Sequence, residues 1–197
     1  MKKNWRVEVI FAGSGGQGVV FSGVVLGAAA TVYEGRYAVQ TQGYGAQARG
    51  GSSWSSVIIS DQEIGFTEVE SCDILVAMNQ QGFEEHIGKL GKNGILLVDE
   101  HLVKTEDSKF NPKTYRIPAT KLSEQLFKNR IYANMIMLGA LTKLTKLVGE
   151  EAIKKAVNDN SPKLAKVRNA EALLRGFFLA EKITSDSSYV QDPEHIT

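Results

Sequence analysis

Residues 7–26 read VEVIFAGSGGQGVVFSGVVL, which is an apolar strand, a glycine-rich loop and an apolar helix in that order. Gly13, Gly15 and Gly18 give the loop the spacing G-x-G-x-x-G, and Gly16 and Gln17 complete it. Glycine allows positive φ angles and a close approach of the backbone to a ligand, and the first amides of a helix attract anions. The stretch therefore predicts an anion-binding turn or, alternatively, a tight strand–helix turn that binds nothing.

Composition sets the limits on the class of protein. The 197 residues are 43% hydrophobic and 23% charged, an ordinary globular composition. The net charge of +1 gives no reason to expect nucleic acid or an anionic membrane surface as a partner. Cys72 is the one cysteine, and the sequence contains no cluster of metal-binding residues. An iron–sulfur cluster held by this chain alone is therefore not expected. Without a signal-peptide apolar region or a membrane-length apolar run, we expect a cytoplasmic protein.

The order of the remaining segments predicts the fold class. We expect a three-layer, Rossmann-like α/β fold with a mixed, mostly parallel sheet, helices on both faces and a helical segment at residues 120–184. Residues 1–184 would form a single domain, followed by a polar tail at residues 185–197. A turn at residues 61–63 would bring residues 64–66 back as an antiparallel strand. The other predicted strands are residues 5–11, 37–40, 52–60, 72–78, 94–98 and 115–119. The predicted helices are residues 17–33, closed by Gly35, and residues 80–90, 121–128, 132–147, 150–157 and 161–183, the last with Ser161 as N-cap.

A second unusual stretch, residues 41–51, reads TQGYGAQARGG. It is too rich in glycine for a stable helix, and it follows a predicted strand. In a doubly wound sheet such a loop lies with the first loop at the carboxyl ends of the strands, where these folds bind ligands. The guanidinium of Arg49 can meet a phosphate or a carboxylate with two parallel hydrogen bonds, or it can form a salt bridge in the loop or at a subunit interface.

The sequence provides little support for a self-contained enzyme. A typical NAD site has an acidic residue at the end of the second strand, but that strand ends with Gln40 and Thr41. His86 and His195 are expected on the surface and Cys72 in the core, while His101 follows a strand end, where a functional role is possible. Because no nucleophile–base pair is evident, the sequence indicates binding and interaction.

Taken together, the two loops resemble those of the gamma subunits of 2-oxoacid:ferredoxin oxidoreductases. The resemblance lies in residues 13–18 and 40–51, in the apolar strand ending in Met78 with Asn79 and Gln80 after it, and in residues 94–99. It extends over about residues 7–180. The paired loops in this order are specific to the family, whereas either loop alone is not.

The resemblance implies a multi-subunit enzyme that converts a 2-oxoacid and coenzyme A to acyl-CoA and CO2. It implies that thiamine diphosphate is held mainly by alpha and beta subunits, that iron–sulfur clusters are held by beta and delta subunits, and that ferredoxin accepts the electrons. The sequence at residues 49–51 resembles 2-oxoglutarate or branched-chain 2-oxoacid members, although many relatives have an acid at Gln47. The residues expected to bind an anion, coenzyme A or a partner are Gly13, Gly15, Gly16, Gln17, Gly18, Gln42, Tyr44, Arg49, Gly50, Gly51 and Asn79.

Two alternatives remain open from the sequence. The absence of catalytic signatures also fits a free-standing nucleotide-binding or regulatory module without an oxidoreductase partner. The small subunit of an indolepyruvate oxidoreductase would contain the same two loops. In each case we expect no catalytic residue and no metal site in this chain.

Overall fold

The computed structural model describes residues 5–45, 51–105, 112–185 and 190–191. Its strands are β1 (Arg6–Ser14), β2 (Tyr37–Tyr44), β3 (Ser52–Ser60), β4 (Cys72–Ala77), β5 (Leu90–Asp99), β6 (Lys113–Ile117) and β7 (Val190–Gln191). Its α-helices are α1 (Val19–Ala28), α2 (Gln80–His86), α3 (Ala119–Phe127), α4 (Ala133–Thr145), α5 (Glu150–Asn160) and α6 (Lys166–Ser185). Helix α1 continues into a π-helical turn (Ala29–Tyr33), and 3-10 turns follow α2 (Ile87–Lys89) and precede α4 (Arg130–Tyr132).

The described strands form one mixed sheet in the order β2-β3-β1-β4-β5-β6-β7. Strands β1, β4, β5 and β6 are parallel neighbours. Strand β3 is antiparallel to both β1 and β2, so β2 runs in the same direction as β1. Only β3 and the two-residue β7 run the other way, and the expected mixed, mostly parallel α/β sheet is confirmed.

Both faces of the central strands are buried, as their continuous apolar sequences predict. On β1, Val9 and Phe11 belong to the larger core, which lies under α1 and α3 to α6, whereas Ile10 and Ala12 belong to the smaller core with Phe83 of α2. Helix α4 is apolar on nearly all sides and is buried along most of its length. The helices therefore cover the two faces unequally, and α2 is the only described α-helix on the smaller core. No helix in the described ranges is long and apolar enough to cross a membrane.

The antiparallel pairing of β3 differs from the expected one. Residues 64–66 do not form a strand, and Phe66 is 57% exposed. Both edges of β3 are already hydrogen-bonded, one to β1 and one to β2, which leaves no edge for a further partner. Strand β2 also extends to Tyr44, beyond the predicted end, because residues 41–44 pair in register with β3.

The expected start of the last helix is also wrong. Ser161 is the C-cap of α5, its amide donating to the Val157 carbonyl oxygen at 3.0 Å, and α6 begins only at Lys166. Gly35 ends the first helix as expected, with φ +65° and its amide donating to the Thr31 carbonyl oxygen at 3.2 Å. The proposed tail at residues 185–197 begins inside α6 and contributes β7, while residues 186–189 and 192–197, with His195, lie outside the described residues. The division into one domain and a tail stays a prediction.

Candidate functional site

The glycine loop connects β1 to α1 at the carboxyl end of the parallel strands. The Gln17 side chain closes it: its oxygen accepts from the Ser14 amide at 2.7 Å, and its nitrogen donates to the Met78 carbonyl oxygen at 2.9 Å. A Cβ atom on Gly13 would lie 2.7 Å from that Gln17 oxygen. In the structure, Gly13 and Gln17 therefore hold the loop against the end of β4.

Gly18 is the N-cap of α1 and has a left-handed backbone conformation, with φ +74°. Its carbonyl oxygen accepts a hydrogen bond at 3.1 Å from the buried Asn134 side chain of α4, which a Cβ atom on Gly18 would collide with. The first amides of α1 have no acceptor within the helix, and Gly18 has no side chain to accept from them. Those amides are the part of this loop that is suited to an anion.

The two glycine-containing loops meet at this edge of the sheet. The Gly15 amide donates to the Gly51 carbonyl oxygen at 3.0 Å, and the Gly45 amide donates to the Ser52 carbonyl oxygen at 2.6 Å. The Tyr44 side chain is 65% exposed, and its hydroxyl accepts from the Gln42 side chain at 3.1 Å. The predicted proximity of the loops is therefore observed for their described residues, whereas Ala46, Gln47, Ala48, Arg49 and Gly50 lie outside them.

An apolar cleft of about 600 Å³ opens beside the loop. Gly15, Gly16 and Gly18 line one end of the cleft, and Tyr44 lines one of its walls. The remaining walls come from α1, the turn before α4 and the segment between α5 and α6, and include Val20, Val24, Ile131, Tyr132, Pro162 and Ala165. The cleft places an uncharged surface next to the first amides of α1.

Asn79 has a structural position in this arrangement. It is the N-cap of α2, its side-chain oxygen accepting from the Gly82 amide at 2.8 Å, and its nitrogen donates to the Ser14 hydroxyl. A Cβ atom on Gly82 would lie 2.8 Å from the Gly13 amide nitrogen. The side chain of Asn79 thus fixes the start of α2 against the glycine loop.

A second pocket, of about 340 Å³, lies on the face of β3 opposite to the apolar cleft. This polar pocket is lined by Tyr44, Gly45, Ser52, Trp54, Gln81, Glu85 and His86. The Glu85 carboxylate accepts hydrogen bonds from the Ser52 hydroxyl and, at 2.8 Å, from the Gln81 side chain. The Ser52 hydrogen bond is the main cause that lowers the pKa of Glu85. The polar pocket therefore contains an ionised carboxylate.

His86 is buried, contrary to the expectation of a surface histidine. It is only 7% exposed because it packs against the sheet. The centroid of its ring lies 6.1 Å from the centroid of the Trp54 ring. Neither imidazole nitrogen has a hydrogen-bond partner within the described residues. Burial is the main cause that lowers the pKa of His86, with a smaller contribution from Lys89. The ring is thus held neutral in the wall of the polar pocket.

Cys72 and His101 are the remaining side chains that the sequence analysis considered. Cys72 is a core residue, as predicted, and burial raises the pKa of its thiol to about 12. His101 is in an exposed turn after β5. The buried Asp99 carboxylate holds that turn, since it accepts from the His101 amide at 3.1 Å and from the Thr120 amide at 2.8 Å. In the described ranges no three His, Cys, Asp or Glu side chains are grouped to hold a metal ion.

The sequence analysis did not single out three residues that line the two pockets, namely Asn134, Trp54 and Glu85. Asn134 interrupts an apolar helix, and such a polar residue could have been noticed as a buried hydrogen-bonding group. Trp54 and Glu85 had no distinguishing local signal, because β3 and α2 bring them together from positions 31 residues apart in the chain.

Comparison with known proteins decides the family. The family described as pyruvate ferredoxin/flavodoxin oxidoreductase matches residues 8–178. The chain belongs to this family. It is 42% identical over 179 residues to the 2-oxoglutarate synthase subunit KorC of Methanocaldococcus jannaschii, covering 90% of this chain and 96% of that one.

Two solved structures have the same fold. The gamma subunit of a keto/oxoacid ferredoxin oxidoreductase from Geobacter sulfurreducens is 37% identical, with a TM-score of 0.81 over 90% of this chain and 98% of that one. The 2-oxoglutarate:ferredoxin oxidoreductase of Magnetococcus marinus, solved with 2-oxoglutarate, coenzyme A and succinyl-CoA bound, shares the fold at 23% identity and a TM-score of 0.80. The match covers 92% of this chain and 32% of that one. This chain is a gamma subunit of a multi-subunit 2-oxoacid:ferredoxin oxidoreductase.

Proposed function

We propose that this gamma subunit forms part of the coenzyme A site of a 2-oxoglutarate:ferredoxin oxidoreductase and has no oxidoreductase activity alone. The observation that supports this proposal is the hydrogen bond from the Gly15 amide to the Gly51 carbonyl oxygen. It joins the two glycine loops beside the unpaired first amides of α1. This is the carboxyl end of the parallel strands, where such folds bind ligands. The 2-oxoacid is inferred from the name of the KorC relative.

Arg49 is proposed to bind a phosphate of coenzyme A. It is separated from Gly51 by one residue in the sequence, and a planar guanidinium can form two parallel hydrogen bonds to a phosphate. The loss of one charge-assisted hydrogen bond costs roughly 1.5–3 kcal/mol, or about ten- to a hundredfold in affinity. Gly16 and Tyr44, which line the adjoining cleft, are proposed to contact the same ligand or a partner subunit.

The redox groups are assigned to the partner subunits. Iron–sulfur clusters are held by several cysteine thiolates, whereas this chain has one cysteine, which is buried in β4. We propose that alpha and beta subunits hold thiamine diphosphate, that beta and delta subunits hold the clusters, and that ferredoxin binds to the complex. A cytoplasmic location stays a prediction from the sequence.

The assembled enzyme provides the first test. In the assembled enzyme, Arg49→Ala should raise the KM for coenzyme A by about ten- to a hundredfold, with little change in the KM for 2-oxoglutarate. Arg175→Ala, which removes an exposed arginine of α6, is the matched control. If Arg49 instead holds the subunit interface, Arg49→Ala will weaken assembly in gel filtration, and the surviving complex will have the wild-type KM for coenzyme A.

The isolated chain provides the second test. It should contain no iron and should not reduce a viologen dye with any 2-oxoacid, and activity above background would contradict the proposal. Calorimetric titration of the chain with NAD should show no micromolar binding, since an acidic ribose ligand is missing after β2. Activity of the complex with indolepyruvate in place of 2-oxoglutarate would favour the indolepyruvate alternative.

A further inference from the structure

The apolar cleft beside the glycine loop continues onto an exposed apolar surface. Pro162 and Ala165, in the segment between α5 and α6, line the cleft. In that segment and the first turn of α6, Leu164 is 99% exposed and Val167 is 78% exposed. Ile131, which lines another part of the cleft, is 52% exposed. Exposed apolar residues therefore lie both in the cleft and directly beside it.

The exposed apolar residues of this region form a group. Five of them are large and belong to the cleft or to residues 162–168, namely Val24, Tyr44, Ile131, Leu164 and Val167. Single exposed apolar residues are common on folded proteins, whereas a group of neighbouring ones is typical of an interaction surface. The group is therefore suited to a partner that removes it from water.

A small molecule in the cleft would not cover this surface. A ligand pocket encloses most of its ligand, but Leu164 and Val167 do not line the cleft and lie almost fully in solvent. Both become buried only if a larger surface fills the cleft and also extends over residues 162–168. Burial of one such side chain strengthens binding about tenfold or more. The size of the group therefore favours a protein partner.

The same segment is positively charged. It contains Lys163, Lys166 and Arg168, and the guanidinium carbon of Arg168 lies 6.0 Å from the ring centroid of Tyr132 in the cleft wall. None of these three cations forms an ion pair with a carboxylate of the described residues. The Asp159 carboxylate near the end of α5 already accepts a hydrogen bond from a tyrosine hydroxyl. Since charges across an interface are complementary, this surface fits a partner that is apolar and acidic.

We propose that the apolar cleft and residues 162–168 form one docking surface for a partner subunit of the oxidoreductase. The segment that docks there has bulky apolar residues flanked by aspartate or glutamate. Its apolar side chains fill the cleft and cover Leu164 and Val167, and its carboxylates pair with the three cations. A second copy of this chain does not fit, because it would bring the same cations together. The inference goes beyond the proposed coenzyme A site, since it assigns residues 162–168 to subunit contact.

The test is the retention of the gamma subunit when the assembled oxidoreductase is diluted. Mass photometry gives the concentration at which half of the gamma subunit has dissociated. The double variant Leu164→Ser/Val167→Ser should raise that concentration about tenfold or more through lost apolar burial. Arg168→Glu should raise it about tenfold through the lost charge pair. Added salt should promote dissociation of the wild type more than that of Arg168→Glu, because salt screens the pair that the variant lacks.

Val32→Ser and Lys92→Glu are the matched controls. Val32 is 71% exposed in the π-helical turn after α1, and Lys92 is exposed near the start of β5, at the opposite end of the sheet from the cleft. Both variants should dissociate as the wild type does. Because all the substituted residues are exposed, each isolated chain should keep the wild-type Tm, and complete loss of a variant with that Tm from the complex is the expected effect at its largest.

Wild-type dissociation of Leu164→Ser/Val167→Ser would overturn the proposal. A complex that stays assembled but has a raised KM for coenzyme A would also overturn it, because residues 162–168 would then belong to the substrate site. Dimers of the isolated chain that the double variant abolishes would identify a second copy as the occupant and exclude the acidic partner. The proposed coenzyme A site is tested separately by Arg49→Ala, so either proposal can fail without the other.

Discussion

Gln17 in the glycine loop is hydrogen-bonded to Met78 at the end of the neighbouring parallel strand, across 61 positions of sequence. Its side-chain nitrogen donates to the Met78 carbonyl oxygen at 2.9 Å, while its oxygen accepts from the Ser14 amide at 2.7 Å. The loop shape is therefore maintained by a tertiary contact as well as by its glycines. A loop held in this way presents the first amides of α1 in one fixed direction.

Gln17→Ala should destabilise the chain. The substitution leaves the Ser14 amide and the Met78 carbonyl oxygen without the partners they have now, which costs roughly 1–3 kcal/mol for each group that water cannot reach. The free energy of unfolding from urea denaturation measures the effect. Gln62→Ala replaces an exposed glutamine and should change little, so equal effects of the two substitutions would contradict this role of Gln17.

Gly18→Ala should cost more than Gly16→Ala, although both glycines have positive φ angles. Position 16 is open, with no atom within 4 Å of an added Cβ, so only the left-handed backbone cost of roughly 1–2 kcal/mol applies. At position 18 the Cβ also collides with the buried Asn134 side chain. Urea denaturation of both variants should show the difference, and Asn134→Ala should remove the extra cost in the double variant. Additive effects of Gly18→Ala and Asn134→Ala would contradict the collision.

His86 should make the stability of the chain fall in mild acid. Burial lowers the pKa of His86 from its ordinary value of 6.5, so below that value the unfolded chain binds more protons than the folded chain. The free energy of unfolding is then greatest above pH 6.5 and falls as the pH drops through it. The Tm should decline between about pH 7.5 and about pH 5.5 less steeply in His86→Phe than in the wild type. His101→Gln, at an exposed histidine, should keep the wild-type slope, and a wild-type slope in His86→Phe would contradict the prediction.

Cys72 should be unreactive in the folded chain. It is 1% exposed, and burial is the main cause that raises the pKa of its thiol to about 12. The thiolate that reacts with iodoacetamide is therefore scarce and inaccessible at about pH 8. Mass spectrometry should find no alkylation of the native chain and one alkylation per chain in denaturant, since there is one cysteine. Rapid alkylation under native conditions would show that β4 opens readily.

The sequence by itself determined the local chemistry of this protein. The strand, glycine loop and helix at residues 7–26 could be identified because periodicity and glycine spacing are local properties. The continuous apolar run of β4 indicated a strand buried on both faces, and the specific pair of glycine loops indicated the family. Each of these inferences depends on neighbouring residues, so it needed no knowledge of long-range contacts.

Only the tertiary structure decided which segments meet. Strand β3 pairs with β1 and β2, whereas residues 64–66, which were expected to pair with it, do not. This outcome depends on competition between strand edges that are distant in sequence. His86 has the pattern of a surface helix position, yet it is buried because α2 packs it against Trp54 of β3. The polar pocket likewise exists only where the ends of β2 and β3 meet α2. Burial and hydrogen bonding between distant residues are properties of the packed chain, and no local pattern contains them.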